Sequence, residues 1–375
     1  MPEQLGNARF DSAARPPLIA LDLMRGLAAL TVLISHLRGD SFVEYGALPA
    51  SQHNAVTILF FAATRIAFEA VVVFFVLSGF LVGGQVIARL RQKRFQIDTY
   101  FTDRATRILI PLIPACLFTA AVDFFWLHEP VHLGQLIANM VGLNEVITQS
   151  LATNAVLWSL SYEIWFYISA GTIAFLISRG PSTASVFTLL LCVAVFTILK
   201  VHFWIIWILG ACMSLLVEIR FKKAFLFFGV ICALIGTLFD QLAADSRSVI
   251  PVTYIPPTAA ELLIGIGIAM TFPFFASSSF NKLLSASRIG SMASALAGFS
   301  YTLYLTHRPT DAVLGSIFGQ ADILSAQSVI YFGLRILICL TVALCFYLFF
   351  EHNTPKARKL LRRLMRSEIT VKTIG

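Results

Sequence analysis

The stretch LIALDLMRGLAALTVLISHL, residues Leu18–Leu37, decides the fold class of this chain. It is an apolar run about as long as the roughly 20 residues that an α-helix needs to cross a bilayer. It nevertheless carries Asp22, Arg25 and His36. Ionisable groups are costly inside a membrane, so those that occur there are functional candidates. The run therefore predicts a membrane helix that carries part of a functional site.

The spacing of these three residues places them on one helix face. Asp22 and Arg25 are three residues apart, which predicts a structural ion pair. His36 follows Arg25 by eleven residues, close to three full turns, and the helical rise separates the two by about 16 Å. A cation at one depth and a titratable base at another predict a site that extends across the membrane.

The composition excludes an ordinary soluble domain, because 58% of the residues are hydrophobic, only 13% are charged and the mean hydropathy is +0.81. We therefore predict an all-α, polytopic integral membrane protein. Asp22 and Arg25, and the lack of a small-residue cleavage site, argue against a signal peptide. Ten transmembrane helices are predicted, at about 18–37, 66–88, 107–127, 155–177, 183–199, 203–219, 224–240, 258–276, 293–317 and 326–350.

The distribution of lysine and arginine predicts that both termini are cytoplasmic. Of the 28 such residues, 21 fall on the side of the termini, three on the other side and four within predicted spans. This bias accounts for the net charge of +8 without a nucleic-acid partner. We divide the chain into a cytoplasmic N-terminal segment (1–17), a transmembrane domain (18–350) and a basic cytoplasmic tail (351–375) that we expect to contact membrane lipids.

Two other segments stand out from the helical pattern. Residues 55–65 are apolar and predict an interfacial or re-entrant piece, and the loop 128–154 has no lysine or arginine and predicts a cap over the outer mouth. His128 and His132 lack the composition of a zinc-binding HExxH helix, because Pro130 argues against that helix. We predict no metal site.

Two motifs are compatible with a phosphate-bearing ligand. Arg104 and Arg107 lie three residues apart at the predicted cytoplasmic end of the third helix, and paired guanidiniums suit phosphates; the alternative is a positive-inside anchor. Ser78 and Gly79 remove side-chain bulk from the second helix, which would let a thin ligand approach; the alternative is ordinary helix packing.

Two further motifs predict acid–base chemistry. Glu163 lies among aromatic residues near the outer end of the fourth helix, and His307 lies in the ninth. Together with His36, they place two histidines and a carboxylate in the outer half of the membrane, which favours an acid–base site over isolated packing residues. A Ser-His-Glu nucleophilic site lacks support because no GxSxG elbow is present.

Six ordered blocks now indicate a family: RGLAALTVLISH, FFVLSGFLVG, RATRILIP, LWSLSYEIWFY, SYTLYLTH and FFEHNTP. They resemble the signature blocks of the acyltransferase-3 family of bacterial membrane O-acyltransferases. The resemblance covers about residues 18–355. It implies an inner-membrane enzyme that moves an acyl group, most commonly acetyl, from acyl-CoA to a hydroxyl of a cell-surface carbohydrate or lipid-linked glycan. Acyl-CoA would be a co-substrate, and no permanently bound cofactor is expected.

The resemblance and the residue pattern together suggest roles. Arg25, Arg104 and Arg107 would hold the CoA phosphates. His36 would be the general base or, alternatively, would carry a covalent acyl intermediate. Glu163 would orient or charge-stabilise an imidazole, and His307 would polarise the thioester carbonyl or bind the acceptor. We also expect the pantetheine arm to pass Ser78 and Gly79 in a continuous tunnel, with His36 at its bend.

Two functions of other classes remain open at this point. A carbohydrate or lipid transporter also has intramembrane charges and glycine breaks. A component of a polysaccharide-export complex would need no acyl-transfer chemistry, but it explains neither Arg25 nor His36. Transfer of label from acyl-CoA separates the enzyme from both.

Overall fold

A computed structural model describes residues 18–244, 256–285 and 289–362. Of the described residues, 82% are helical. It is a polytopic membrane protein, as predicted. The predicted N-terminal segment, residues 1–17, and the end of the basic tail, residues 363–375, lie outside the described residues.

The helices follow one another through the described chain. They are α1 (Ile19–Ser41), α2 (Ala55–Ala63), α3 (Ala67–Ser78), α4 (Gly84–Arg91), α5 (Ile97–Phe125), α6 (Leu133–Met140), α7 (Trp158–Arg179), α8 (Thr183–Ile198), α9 (Val201–Met213), α10 (Lys222–Ala244), α11 (Pro257–Phe275), α12 (Ser278–Ser285), α13 (Ile289–Phe318) and α14 (Ala326–Phe349). A π-helical turn, Gly79–Gly83, joins α3 to α4, and 3-10 helices span Ala152–Leu157 and Glu351–Asn353. Residues 354–362 are helical.

The number of membrane crossings was predicted as ten. Within the described ranges, seven helical segments are long and apolar enough to cross a membrane, or eight if α8 and α9 count as one broken span. Each of these two helices is short, and the chain bends by 119° between them, at Leu199–Lys200. The sequence predicted two separate spans here, whereas the structure has a bent pair. The 30-residue helix α13 is not among the seven; it carries several polar residues.

Two predicted elements differ in detail from the structure. The apolar segment 55–65 forms the short helix α2, whose Val56 and Leu59 are exposed, before the chain continues into α3. The third predicted helix begins ten residues earlier than expected, at Ile97, and continues through Pro111 and Pro114. As a result, both arginines of that motif lie inside a helix.

Helices α1 and α13 pack side by side and run parallel. A Cβ atom on Gly26 would lie 2.7 Å from Leu296 Cβ, so glycine permits the close approach of the two helices. Eleven residues further along α13, His307 meets His36, which lies ten residues beyond Gly26. Because both helices advance by nearly the same number of residues between these two contacts, they run in the same direction. This register brings the motifs that contain His36 and His307 together.

The two ends of the bundle differ in chemistry. At one end, called here the basic end, α1 begins, α4 ends and α5 begins, and Asp103, Arg104 and Arg107 lie within about the first three turns of α5. Arg358 and Arg362 from residues 354–362 both contact the Asp103 carboxylate, at 3.5 and 2.6 Å. The described part of the basic tail therefore packs against the protein. The end at which α1 finishes is called the histidine end.

The loop between α5 and α7 folds onto α7 at the histidine end. Ser161 Oγ and Trp165 Nε1 both donate to the Gly142 carbonyl, at 2.9 and 3.1 Å, and the Asn144 amide donates to the Leu157 carbonyl at 2.9 Å. Polar side chains of the α7 motif thus hold this loop in place.

Candidate active site

His36 on α1 and His307 on α13 are in direct contact. Nδ1 of His36 lies 3.0 Å from Nε2 of His307, and the ring planes are within 13° of parallel. His307 is 1% exposed, whereas His36 is only partly buried. His36 is therefore the accessible member of the pair, and His307 lies behind it.

A backbone carbonyl determines where the protons of this pair lie. Nδ1 of His307 is 3.0 Å from the carbonyl oxygen of Leu303, which can only accept a hydrogen bond, so this nitrogen carries a proton. In the neutral ring, Nε2 of His307 is then an acceptor, and Nδ1 of His36 must be the donor to it. Neutral His36 is left with a lone pair on Nε2. His36 is thus arranged as a base at Nε2.

Two ion pairs surround the histidines. Arg308 contacts the Asp40 carboxylate, and Asp40 lies one turn beyond His36 on α1. Arg335 of α14 pairs with Asp311, with Nη2 and Oδ1 2.6 Å apart, and both side chains are 1% exposed. The Arg335 guanidinium also donates to the Asp40 carbonyl at 3.3 Å. These contacts tie the end of α1 to α13 and α14, so they hold the two histidine rings in register.

A cavity of about 400 Å³ lies between α1, α3, α5, α7 and α13. It brings together most of the predicted ligand-binding residues from four separate motifs. Its lining includes Arg25, Ser78, Arg104, Arg107 and Glu163, with apolar and tyrosine side chains around them. Such a mainly apolar pocket with a few convergent polar groups is typical of a small-molecule site.

The three arginines make this cavity suitable for an anion. Arg25 Nη1 lies 4.0 Å from Asp22 Oδ1, and the Arg104 guanidinium lies over the Tyr167 ring at 5.6 Å. Among the described residues, neither Arg104 nor Arg107 has a carboxylate within ion-pair distance. Forked guanidinium groups without a carboxylate partner are suited to phosphate oxygens.

Glu163 belongs to this cavity rather than to the histidine pair. Its carboxylate accepts a short hydrogen bond from the Tyr167 hydroxyl, one turn further along α7. Trp207 Nε1 donates to Ser78 Oγ at 3.1 Å, and Ser78 Oγ is 3.1 Å from the Tyr167 hydroxyl. Because the Tyr167 hydroxyl donates its one proton to the carboxylate, Ser78 donates to Tyr167, and the chain runs from Trp207 through Ser78 and Tyr167 to Glu163. The partner of the His36 imidazole is thus His307, where Glu163 was expected.

The structure gives different surroundings to Ser78 and Gly79. Ser78 lines the cavity, and its hydroxyl is part of the hydrogen-bond chain to Glu163. A Cβ atom on Gly79 would lie 1.9 Å from the Trp207 carbonyl oxygen, so this glycine permits close packing of the π-helical turn on α9. Gly79 does not line the cavity, and its position fits helix packing better than the approach of a ligand.

The predicted continuous tunnel is interrupted before it reaches His36. Phe74 and Tyr304, whose ring centroids are 5.8 Å apart, form an aromatic wall of the cavity, and His36 is not part of the cavity lining. The Tyr304 ring centroid is 6.0 Å from that of His307, so the histidine pair lies directly beyond this aromatic wall. Tyr304 is held by Ser159 Oγ at 2.7 Å and by the Val156 carbonyl at 3.1 Å.

Several residues of the site were not singled out from the sequence. Tyr167 lies four residues after Glu163, and this spacing on one helix face could have indicated it. Asp311 and Arg335 are charged residues within predicted spans, which is itself a signal of function or pairing. Their mutual contact depends on which helices are neighbours, and the spacing of residues along the chain does not show this.

Comparison with known proteins decides the family. A family model described as "Acyltransferase domain", that of the acyltransferase-3 family, matches residues 18–350. The chain belongs to this acyltransferase family. It is therefore a multi-pass membrane acyltransferase, and the cavity and the histidine pair together are its candidate active site. No curated protein and no solved structure matches the chain significantly.

Proposed function

We propose that this acyltransferase moves an acyl group, commonly acetyl, from acyl-CoA to a hydroxyl of a cell-surface carbohydrate or glycolipid. Its place would be the bacterial inner membrane, with the basic end in the cytoplasm, where acyl-CoA is made. The family match supports acyl transfer in general. The arrangement of charges and of the histidine pair supports the finer assignment.

The donor side of the proposal is supported by the arginine-lined cavity. Arg25, Arg104 and Arg107 converge on it from α1 and α5, as a ligand with several phosphates requires. The apolar part of the cavity continues from these arginines to Tyr304, a suitable surface for a pantetheine arm. Glu163, held in place by Tyr167, lies along this path.

The histidine pair supports direct acyl transfer by general-base catalysis. His36 Nε2 would take the proton of the acceptor hydroxyl as its oxygen attacks the thioester carbonyl. The tetrahedral intermediate then collapses, the carbon–sulfur bond breaks, and the proton passes from His36 to the departing CoA sulfur. During the step His36 is an imidazolium, and its Nδ1–H donates to neutral His307. Both nitrogens of His307 are already engaged, so it orients His36 and does not polarise the thioester.

The observation that carries this proposal is the contact of His36 with His307 together with that of His307 with the Leu303 carbonyl. These two contacts put the proton of neutral His36 on Nδ1, so its Nε2 carries the lone pair that can accept a proton. The wall formed by Phe74 and Tyr304 lies between the cavity and the histidine pair, so we expect these two rings to move apart when the thioester reaches His36.

The test uses purified protein in lipid, acyl-CoA labelled in the acyl group, and candidate glycan acceptors. We expect label in the acceptor and release of one CoA thiol for each acyl group transferred. His36→Ala should lower the rate by about 10²–10⁴ because general-base catalysis is lost. His53→Ala, which changes an exposed histidine at the histidine end, is the matched control. Binding or movement of glycan without thioester cleavage would instead indicate a transporter or an export component.

A further inference from the structure

A second cavity of about 530 Å³ lies at the basic end of the bundle. Its walls come from the π-helical turn and α4, from the turn after α9, and from α12. Helix α4 closely approaches the end of α9 at Gly84, where a Cβ atom would lie 2.6 Å from Ser214 Oγ. The catalytic steps proposed above do not use this cavity.

The second cavity adjoins the arginine-lined one. Leu18, Leu81 and Gln85 line both, so they form a shared wall. Gln85 is partly buried, and no described residue is within hydrogen-bond distance of its amide. A ligand bound at Arg104 and Arg107 would therefore lie next to the second cavity, which is at the basic end.

The lining chemistry suits a flat, apolar-faced group with polar edges. Leu81, Ala88 and Leu215 offer apolar surface, and the Gln85 amide offers both a donor and an acceptor. Arg91 adds a cation at the rim. A purine ring has such faces and edges.

Two other polar side chains of this cavity, Glu218 and Asn281, have partners within the protein. Glu218 is 3.9 Å from Lys222 Nζ and accepts from Ser278 Oγ at 3.5 Å, so its charge is partly balanced. The Asn281 amide binds the Phe275 and Ser277 carbonyls and accepts from the Ala20 backbone N–H. Asn281 therefore serves the packing of α12 on α1, whereas the Gln85 amide makes no hydrogen bond to a described residue.

We propose that this second cavity binds the adenosine 3′-phosphate end of the acyl-CoA donor. The inference rests on the proposed function, since it assumes an acyl-CoA donor. In that molecule the pyrophosphate lies between the pantetheine arm and the adenosine. When the arginines hold the pyrophosphate and the arm lies toward Tyr304, the adenosine lies on the opposite side, where the second cavity adjoins the first at their shared wall.

The test fills the second cavity without touching the first. Ala88→Trp on α4 and Ser278→Trp on α12 place an indole in the cavity from opposite walls. Ala184→Trp, at an exposed position near the start of α8, is the matched control. With labelled acetyl-CoA as the probe, we expect both cavity variants to raise the KM for acetyl-CoA at least tenfold. The kcat at saturating donor should stay within about threefold of wild type, and the control should change neither constant.

Measuring KM and kcat separately distinguishes loss of donor binding from poor folding. A variant that folds poorly would lower kcat through a smaller active fraction and leave KM unchanged, so the variant from the other wall then decides. An unchanged KM in a folded, active cavity variant would overturn the inference. If the wild-type protein transfers no label from acetyl-CoA, the proposed function itself fails, irrespective of the second cavity.

Discussion

Replacing His307 tests the arrangement of the histidine pair most sharply. In His307→Leu, the Nδ1–H of His36 loses its acceptor, and the Leu303 carbonyl loses its donor. A hydrogen bond to a charged group is worth about 1.5–3 kcal/mol, and each 1.36 kcal/mol is tenfold in rate. We therefore expect kcat to fall about 10- to 150-fold. His307→Gln should lose less, since its amide oxygen can still accept from His36.

The assay is the initial rate of label transfer from acyl-CoA at saturating donor, with equal amounts of folded protein. His202→Gln is a matched control, because His202 is a buried histidine that contacts Glu261 on α11 rather than either site histidine. It should retain its kcat. The double variant His36→Ala/His307→Leu should be no slower than His36→Ala, since the two residues act as one unit.

Two results would refute this reasoning. A His307→Leu variant with normal kcat would show that the proton arrangement of the pair is irrelevant to the reaction. Losses that multiply in the double variant would show that His307 acts independently of His36, for example on the thioester carbonyl.

Three further predictions follow from the ends of the bundle. Arg104→Gln and Arg107→Gln should each raise the KM for acyl-CoA by about 10- to 150-fold and spare the KM for acceptor, because each removes a charged hydrogen bond to phosphate. Asp103→Asn should increase the rate at which trypsin cleaves the basic tail by at most about 30-fold, since Asp103 forms two partly exposed ion pairs that each contribute at most about 1 kcal/mol. Cysteine placed at Glu44 should react with an impermeant thiol reagent from outside the cell, whereas cysteine at Gln92 should not.

Matched variants control the first two of these experiments. Arg89→Gln removes an arginine at the basic end that lines neither cavity, and it should leave the KM for acyl-CoA unchanged. Asp98→Asn removes an exposed carboxylate from the first turn of α5 and should leave cleavage of the tail unchanged. Normal donor binding by the Arg104 and Arg107 variants would make these residues topology anchors. Labelling of position 92 from outside would reverse the predicted orientation.

Features confined to one helix could be predicted from the sequence. Arg25 and His36 lie on the single continuous helix α1, so their spacing alone determines their separation along the membrane. The pairing of Arg104 with Arg107 followed in the same way, because both lie on α5 and face one cavity. For these residues, helical geometry provides the spatial relationship.

Contacts between helices could not be predicted, because the periodicity and spacing of residues do not show which helices are neighbours. Glu163 was expected beside an imidazole, but α13 lies against α1 and places His307 there, while Glu163 binds Tyr167 on its own helix. The tunnel was expected to be open because Tyr304 was not recognised as a wall. Its ring closes the cavity only through contacts with distant residues such as Phe74.

The central claim is that an acyl group enters at the arginines and leaves at the histidine end. Transfer in sealed vesicles tests it most directly, with labelled acyl-CoA only on the face that carries residue 92 and acceptor only on the face that carries residue 44. The cavity and the position of His36 predict labelled acceptor in this arrangement, and its loss in His36→Ala. Label transfer only when donor and acceptor share one face would contradict the claim.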